Sequence, residues 1–336
     1  MRNRLLFVQA LLISVSCLII AGGNMIGGVG YAQPGVAQGS EGELLEVSIE
    51  ELGQRPFEPL YVYMDADELG KAIRACKDLL TYYNKQESPR EYGVLQIRLG
   101  FSYLALQTAQ REEDVRSAAE HFDEAIRVCG EKGLVKEYYG AKIGLGLALI
   151  ELSDGDKVDN LHEAVNMLSE GAEFSRKEGP PLAYVIASNG LGFAHMHLYN
   201  LAGQKKEDVS AAEGYFKEAL SITNYERFPV EYAKAQMGLG TLYASLPGAG
   251  REGLEDKALH ALWDARNVFS EKFFPTFYTN TLFLTGLVHA GKGDYEEAEK
   301  FIEKTIEAAG KTDDPNLQRY MNYLYAIQAS SSLDDP

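Results

Sequence analysis

The chain has 336 residues, 46% hydrophobic and 24% charged, an ordinary balance that excludes collagen-like, disordered and polytopic membrane chains. With 49 Asp and Glu against 32 Lys and Arg the net charge is −17, which repels phosphate backbones and argues against sequence-independent nucleic-acid binding. Three cysteines exclude a disulfide-dense scaffold and a four-Cys zinc site.

At the N-terminus, Met1-Arg2-Asn3-Arg4 is a basic start. Leu5 to Ala21 is apolar apart from Gln9 and the small residues Ser14, Ser16 and Cys17, and small residues then lead to Gly30-Tyr31-Ala32. These are the parts of a secretory signal peptide, residues 1–32, with cleavage after Ala32. The apolar run of 17 residues stands near the lower limit for a membrane span, so an uncleaved anchor over residues 5–21 is the alternative. Cys17 lacks the leucine three residues earlier that a lipidation site carries, and apolar residues continue past it. Cleavage removes Arg2 and Arg4 and takes the charge from −17 to −19. The mature chain keeps Cys76 and Cys129, which an oxidising compartment would allow to pair. Each sits in an amphipathic helix pattern, where a buried free thiol acts as a small apolar residue, and that reading is preferred. Residues 33–45 are Gly-rich and weakly patterned, a flexible leader that with a degenerate cap fills 33–64.

From there the chain repeats itself. Leu99-Gly100 recurs as Leu145-Gly146, Leu191-Gly192, Leu239-Gly240 and, degraded, Thr285-Gly286, at spacings of 46, 46, 48 and 46. Eight residues before each glycine stands a tyrosine: Tyr92, Tyr138, Tyr184, Tyr232 and Tyr278. Three before the tyrosine stands Pro89, Pro181, Pro229 or Pro275, with Val135 in the second copy. Each copy reads as two helices. The first begins at the proline, whose fixed φ and missing N–H suit a helix start. Its interior glycine costs about 1 kcal/mol against alanine, so its recurrence predicts a close helix approach. The second helix carries a small residue (Ala118, Ala164, Ala212, Ala258, Ala298) and, four later, Phe122, Leu168, Phe216, Leu262 or Ile302. Three further on come Ala125, Gly171, Ala219, Ala265 and Thr305. Asp67 to Asn84 has the second-helix pattern alone, and Pro315 to Ser330 reads as a closing helix. Atypical terminal units are what an open stack needs to shield its ends.

A helix pair with Leu-Gly in the first helix and Ala-x3-Phe-x2-Ala in the second resembles the tetratricopeptide repeat. The twelve residues from Gly286 to Ala298 fit its standard 34-residue unit. The other copies have eighteen or twenty residues at that place, and are similar to a long-loop variant found in bacterial proteins. The resemblance implies an all-α fold: one right-handed α-solenoid of about five helix pairs over residues 65–331, followed by a disordered tail, 332–336. It also implies that ligand-facing residues lie three before and one after each glycine. Here those are Ile97 and Phe101, Ile143 and Leu147, Asn189 and Phe193, Met237 and Thr241, Phe283 and Leu287. Lys and Asn that clamp a C-terminal carboxylate in such domains are mostly replaced by apolar residues. The set therefore reads either as an apolar groove for a helix or extended peptide, or as internal packing against neighbours or an N-terminal segment.

Catalytic and metal signals are thin. There is no His-Glu-x-x-His, Gly-x-Ser-x-Gly or phosphate loop, and Gly144-x-Gly146 and Gly238-x-Gly240 lie inside helices. His195 and His197 are two apart and point to different faces; His195 and His289 fill the slot of Tyr103, Leu149 and Tyr243. Asp154-Gly155-Asp156 lacks the spacing of a calcium loop. The expectation is a non-enzymatic interaction scaffold of the bacterial cell envelope, periplasmic or secreted, with a protein or peptide partner and no cofactor or metal. A membrane-anchored adaptor facing the periplasm is the first alternative, and a ligand-binding solenoid the second.

Overall fold

The computed structural model describes residues 66–106, 110–246, 253–312 and 314–331. The signal peptide, leader, degenerate first helix, loop 247–252 and tail 332–336 lie outside them. Among the described residues there are twelve helices and no strands. They are α1 (Ala66–Leu79), α2 (Pro89–Ala105), α3 (Arg111–Glu131), α4 (Val135–Glu151), α5 (Lys157–Lys177), α6 (Pro181–Leu201), α7 (Lys206–Ile222), α8 (Pro229–Ser245), α9 (Leu254–Val268), α10 (Pro275–Lys292), α11 (Tyr295–Gly310) and α12 (Leu317–Ser331). They fall into two compact units, residues 66–194 and 195–331, divided within α6. None of these helices is long and apolar enough to cross a membrane.

Helix starts follow the proline marks: α2, α6, α8 and α10 begin on Pro89, Pro181, Pro229 and Pro275, and α4 on Val135. The expected helix over 67–84 ends earlier, at Leu79. Beyond it the Asn84 side chain accepts from the amides of Gln86 and Glu87, a local turn that competes with helix. Asn224 does the same for Glu226 and Arg227 five residues before Pro229. The closing helix runs over 317–331 instead of 315–330.

In the N-terminal unit α2 pairs with α3 and α4 with α5, while α3 and α2 both lie against α4, and α1 packs on α2. In the C-terminal unit α8 pairs with α9 and α10 with α11; α7 packs on α8, α9 and α8 on α10, and α12 closes on α11. The two helix types differ in pattern. First helices are buried on all sides: every residue of α4 from Gly140 to Ile150 is buried, Lys142 included. A helix of that kind needs neighbours all round. Second helices bury a single stripe, in α3 Val115, Ala118, Phe122, Ala125, Val128 and Cys129, and turn the rest to solvent. Their first turns carry acids, such as Glu112, Glu113 and Asp114 in α3 and Glu296 and Glu297 in α11, which suit the positive helix end.

The recurring marks are one contact repeated. Ala118, Ala164, Ala212, Ala258 and Ala298 have no exposed surface, nor do Phe122, Leu168, Phe216, Leu262 and Ile302. A Cβ on Gly100 would lie 2.6 Å from Phe122, on Gly146 2.6 Å from Leu168, on Gly240 2.7 Å from Leu262, and on Gly286 2.8 Å from Ile302. Real Cβ contacts are not that short, so each glycine lets the large side chain of its partner helix reach the backbone. Burying one such side chain stabilises by roughly 1.5–3 kcal/mol, more than the helix-propensity cost of the glycine.

Candidate functional site

The residues expected to line a groove are almost all buried. In the N-terminal unit Ile97, Ile143, Leu147, Asn189 and Phe193 are at most 2% exposed. Ile143 reaches Gly171 of α5, and Leu147 reaches Gly190 of α6. Phe101 is only partly buried, with its ring edge-on to Phe122 at 4.9 Å. In the C-terminal unit Met237, Thr241, Phe283 and Leu287 are buried. Thr281 of α10 points its hydroxyl at the Met237 sulfur at 3.9 Å, and Thr241 donates to the Met237 carbonyl at 2.8 Å. Phe283 meets Tyr320 and Tyr323 of α12, ring centroids 4.8 and 5.1 Å away. These side chains fill helix–helix seams.

A polar seam lies at the start of the first helices, where the recurring tyrosines sit. Tyr92 donates to Glu124 of α3 at 3.0 Å, and Tyr232 donates to Asp264 of α9 at 3.1 Å. Gln236, one turn after Tyr232, also donates to Asp264, at 2.9 Å. Burial, followed by the partner carboxylate, holds the Tyr92 phenol above its ordinary pKa. In the second copy Lys142, buried except for its partner, donates to Glu170 at 2.5 Å and lies 4.9 Å over the Tyr138 ring. Nearby, Arg90 donates to the buried Glu137 at 2.8 Å. In the first and fourth copies the tyrosine mark is thus a tie between the two helices of a pair.

A second set of polar contacts was not read from the sequence. Arg111 donates to the carbonyls of Leu104 and Leu106 at 3.0 and 2.7 Å and pairs with Glu151. Lys157 donates to the carbonyls of Ile150 and Leu152, both at 2.7 Å. Each stands seven residues before the small-residue mark and satisfies carbonyls that a helix end leaves open. The signal was present as a basic residue at a fixed offset. Asp156 caps α5 by accepting from the amides of Val158 and Asp159, and Asp154 pairs with Arg116 at 2.5 Å. Those two carboxylates are engaged as caps and ion pairs.

Three of the six histidines stack on aromatic rings between helices, while His162 and His260 are exposed. His195 bonds Asp208 at 2.9 Å and stacks on Tyr215; His289 bonds Asp294 at 3.0 Å and stacks on Phe301. His121 bonds Gln96 at 2.6 Å and stacks on Tyr103, and burial, then Lys77, depress its pKa. Cys76 and Cys129 are buried free thiols. Burial, and to a lesser degree Glu137, pushes the Cys129 thiol up to about 12.

The outer surface carries aromatic side chains that no periodicity argument marks. In the C-terminal unit Trp263 of α9 is 55% exposed and Tyr225, in the α7–α8 connection, 60%. Tyr225 donates to the carbonyl of Asn267, one helical turn after Trp263.

No family model and no curated protein matches the chain. Among solved structures it is similar to one titled "Crystal structure of BtubC (BKLC) from P. vanneervenii", at 17% identity and a TM-score of 0.48, over 74% of this chain and 91% of that one.

Proposed function

We propose that the chain is a non-enzymatic interaction scaffold of the bacterial cell envelope, built as a right-handed tetratricopeptide-like solenoid and exported by residues 1–32. The observation that carries this reading is the helix pair repeated with the same glycine and small-residue contacts, a design that builds surface instead of a catalytic cleft. The repeat spacing and its resemblance to long-loop bacterial repeats support the family; the basic–apolar–small N-terminus supports export. Of the ten groove residues, the partly buried Phe101 is the one a partner reaches without displacing a seam. Partner contact is therefore assigned to Phe101 and the outer faces in the folded chain, and to the other nine only where a seam opens.

A photo-crosslinking residue placed at 101, and separately at 263, in the native envelope tests this. Specific adducts of one protein at either position are expected. A folded chain that forms no adduct at either overturns the scaffold reading. N-terminal sequencing of the mature protein separates the exported form from one that keeps residues 5–21 as an anchor.

A further inference from the structure

We infer that the Tyr225–Trp263 face of the C-terminal unit docks a segment of a partner protein rich in Lys and Arg, an assignment that rests on the scaffold reading. Trp263 is the one tryptophan of the chain, and it stands 55% exposed on α9. Tyr225 is held beside the same helix by its bond to the carbonyl of Asn267, four residues after Trp263, so both rings stand within about one turn of each other along α9. Large aromatic side chains held in place and left in water are the kind that dominate binding energy at interfaces. Charge complementarity selects the occupant: the chain carries −17, and Glu226, beside Tyr225, is exposed. Arg227, the cation next to it, lies over the Phe228 ring at 5.1 Å. The chain itself repeatedly sets a cation over an aromatic ring, as with Lys142 over Tyr138 and Arg266 over Phe301. Among the described residues no Lys or Arg lies over Tyr225 or Trp263; His260, three residues before Trp263, sets its ring 6.5 Å from the indole and tilted to it. A guanidinium or ammonium there gains ring attraction, strongest at tryptophan, as well as the field of an acidic protein.

The probe is a labelled twelve-residue peptide of alternating Arg and Gly, titrated into the full chain at about 0.15 M salt, the physiological value. Anisotropy and Trp263 emission are the readouts. The double variant Tyr225→Ala with Trp263→Ala keeps the net charge, so diffuse attraction is unchanged. Loss of two exposed ring contacts is expected to weaken binding about fivefold to thirtyfold. Trp263→Phe is expected to recover part of the loss, and circular dichroism checks that the variants stay helical. Equal affinity of wild type and double variant overturns the assignment. So does a Trp263 emission shift that comes from vesicles of anionic lipid, or from raising the protein concentration, and not from the peptide. If the double variant binds the peptide as wild type does while crosslinks at 101 form, the scaffold reading stands and this surface is dismissed. If wild type crosslinks nothing at either position, the scaffold reading itself fails.

Discussion

The ring of Phe122 in α3 lies against Gly144 in α4, so that a Cβ on Gly144 would overlap the ring. The same phenylalanine fits against Gly100 of its own pair. Phe122 is thus a wedge shared by consecutive first helices, and Phe216 against Gly238 repeats the contact with the following first helix in the C-terminal unit. Gly144→Ala should therefore destabilise, by about 1–3 kcal/mol through overpacking. In contrast, Gly214 in α7 is exposed and has nothing near its Cβ position. Gly214→Ala should stabilise by about 0.5–1 kcal/mol, the ordinary helix-interior gain. Urea midpoints of the two variants should move in opposite directions.

Lys157 holds the end of α4 through two carbonyls, and burial lowers its pKa, outweighing Glu151 and Glu112. Lys157→Met keeps the stem and removes the donor. The expected cost is about 1–3 kcal/mol, that of losing hydrogen bonds made by a charged group. Hydrogen exchange should show the loss first at the last turn of α4, where Ile150 lies. Uniform acceleration along the helix would contradict the capping role.

Tyr243 donates to Glu213 at 2.9 Å, and Lys217 donates to the same carboxylate at 2.6 Å. The Lys217 bond, ahead of the opposing burial and the Tyr243 bond, holds Glu213 below its ordinary 4.5. The unfolded chain then binds that proton more readily, so this contribution is complete above pH 4.5 and is lost as pH falls below it. Burial, then Glu213, raises Tyr243 above its ordinary 10.0, so its contribution is complete below that pH and lost as pH rises past it. Glu213→Gln should flatten the acid limb of stability against pH, and Tyr243→Phe the alkaline limb. Chemical unfolding midpoints across both ranges check the signs.

Cys76 and Cys129 are buried, and burial raises both thiols. A thiol-specific disulfide reagent at pH 8 should leave both untouched in the native chain and titrate two groups in urea. A native thiol count of one would place α1 or α3 in frequent local opening, and a count of two both of them. A count of zero in urea would mean a disulfide.

Much of the fold was written in spacing. Proline fixes φ whatever surrounds it, so four first helices begin where Pro89, Pro181, Pro229 and Pro275 stand. The glycine and small-residue marks were legible because close approach tolerates so few residue types. The second glycine, at Gly144, Gly190 and Gly238, escaped because it answers to a helix of the neighbouring pair, which one copy taken alone does not contain. Arg111 and Lys157 escaped for a related reason: a basic residue at a helix start looks solvated until the carbonyls it reaches are known. Burial at the ten groove positions depends on what lies on the far side of the first helices, information that repeat spacing does not hold. Trp263 and Tyr225 follow no period at all, since exposure on an outer face leaves no packing constraint to repeat.

The all-round burial of the first helices sets the order in which the chain can become safe. When α4 emerges from wherever it is made or threaded, all of Gly140 to Ile150 needs cover, and α2 and α3 supply only part of it. It needs α5 before that exposure closes, so the smallest protected nucleus is larger than one pair. Partners in this nucleus are near in sequence, which favours rapid closure. A pause between α4 and α5 is therefore the moment at which a holding factor would matter most, and a slowed stretch over residues 152–156 would be its most damaging position.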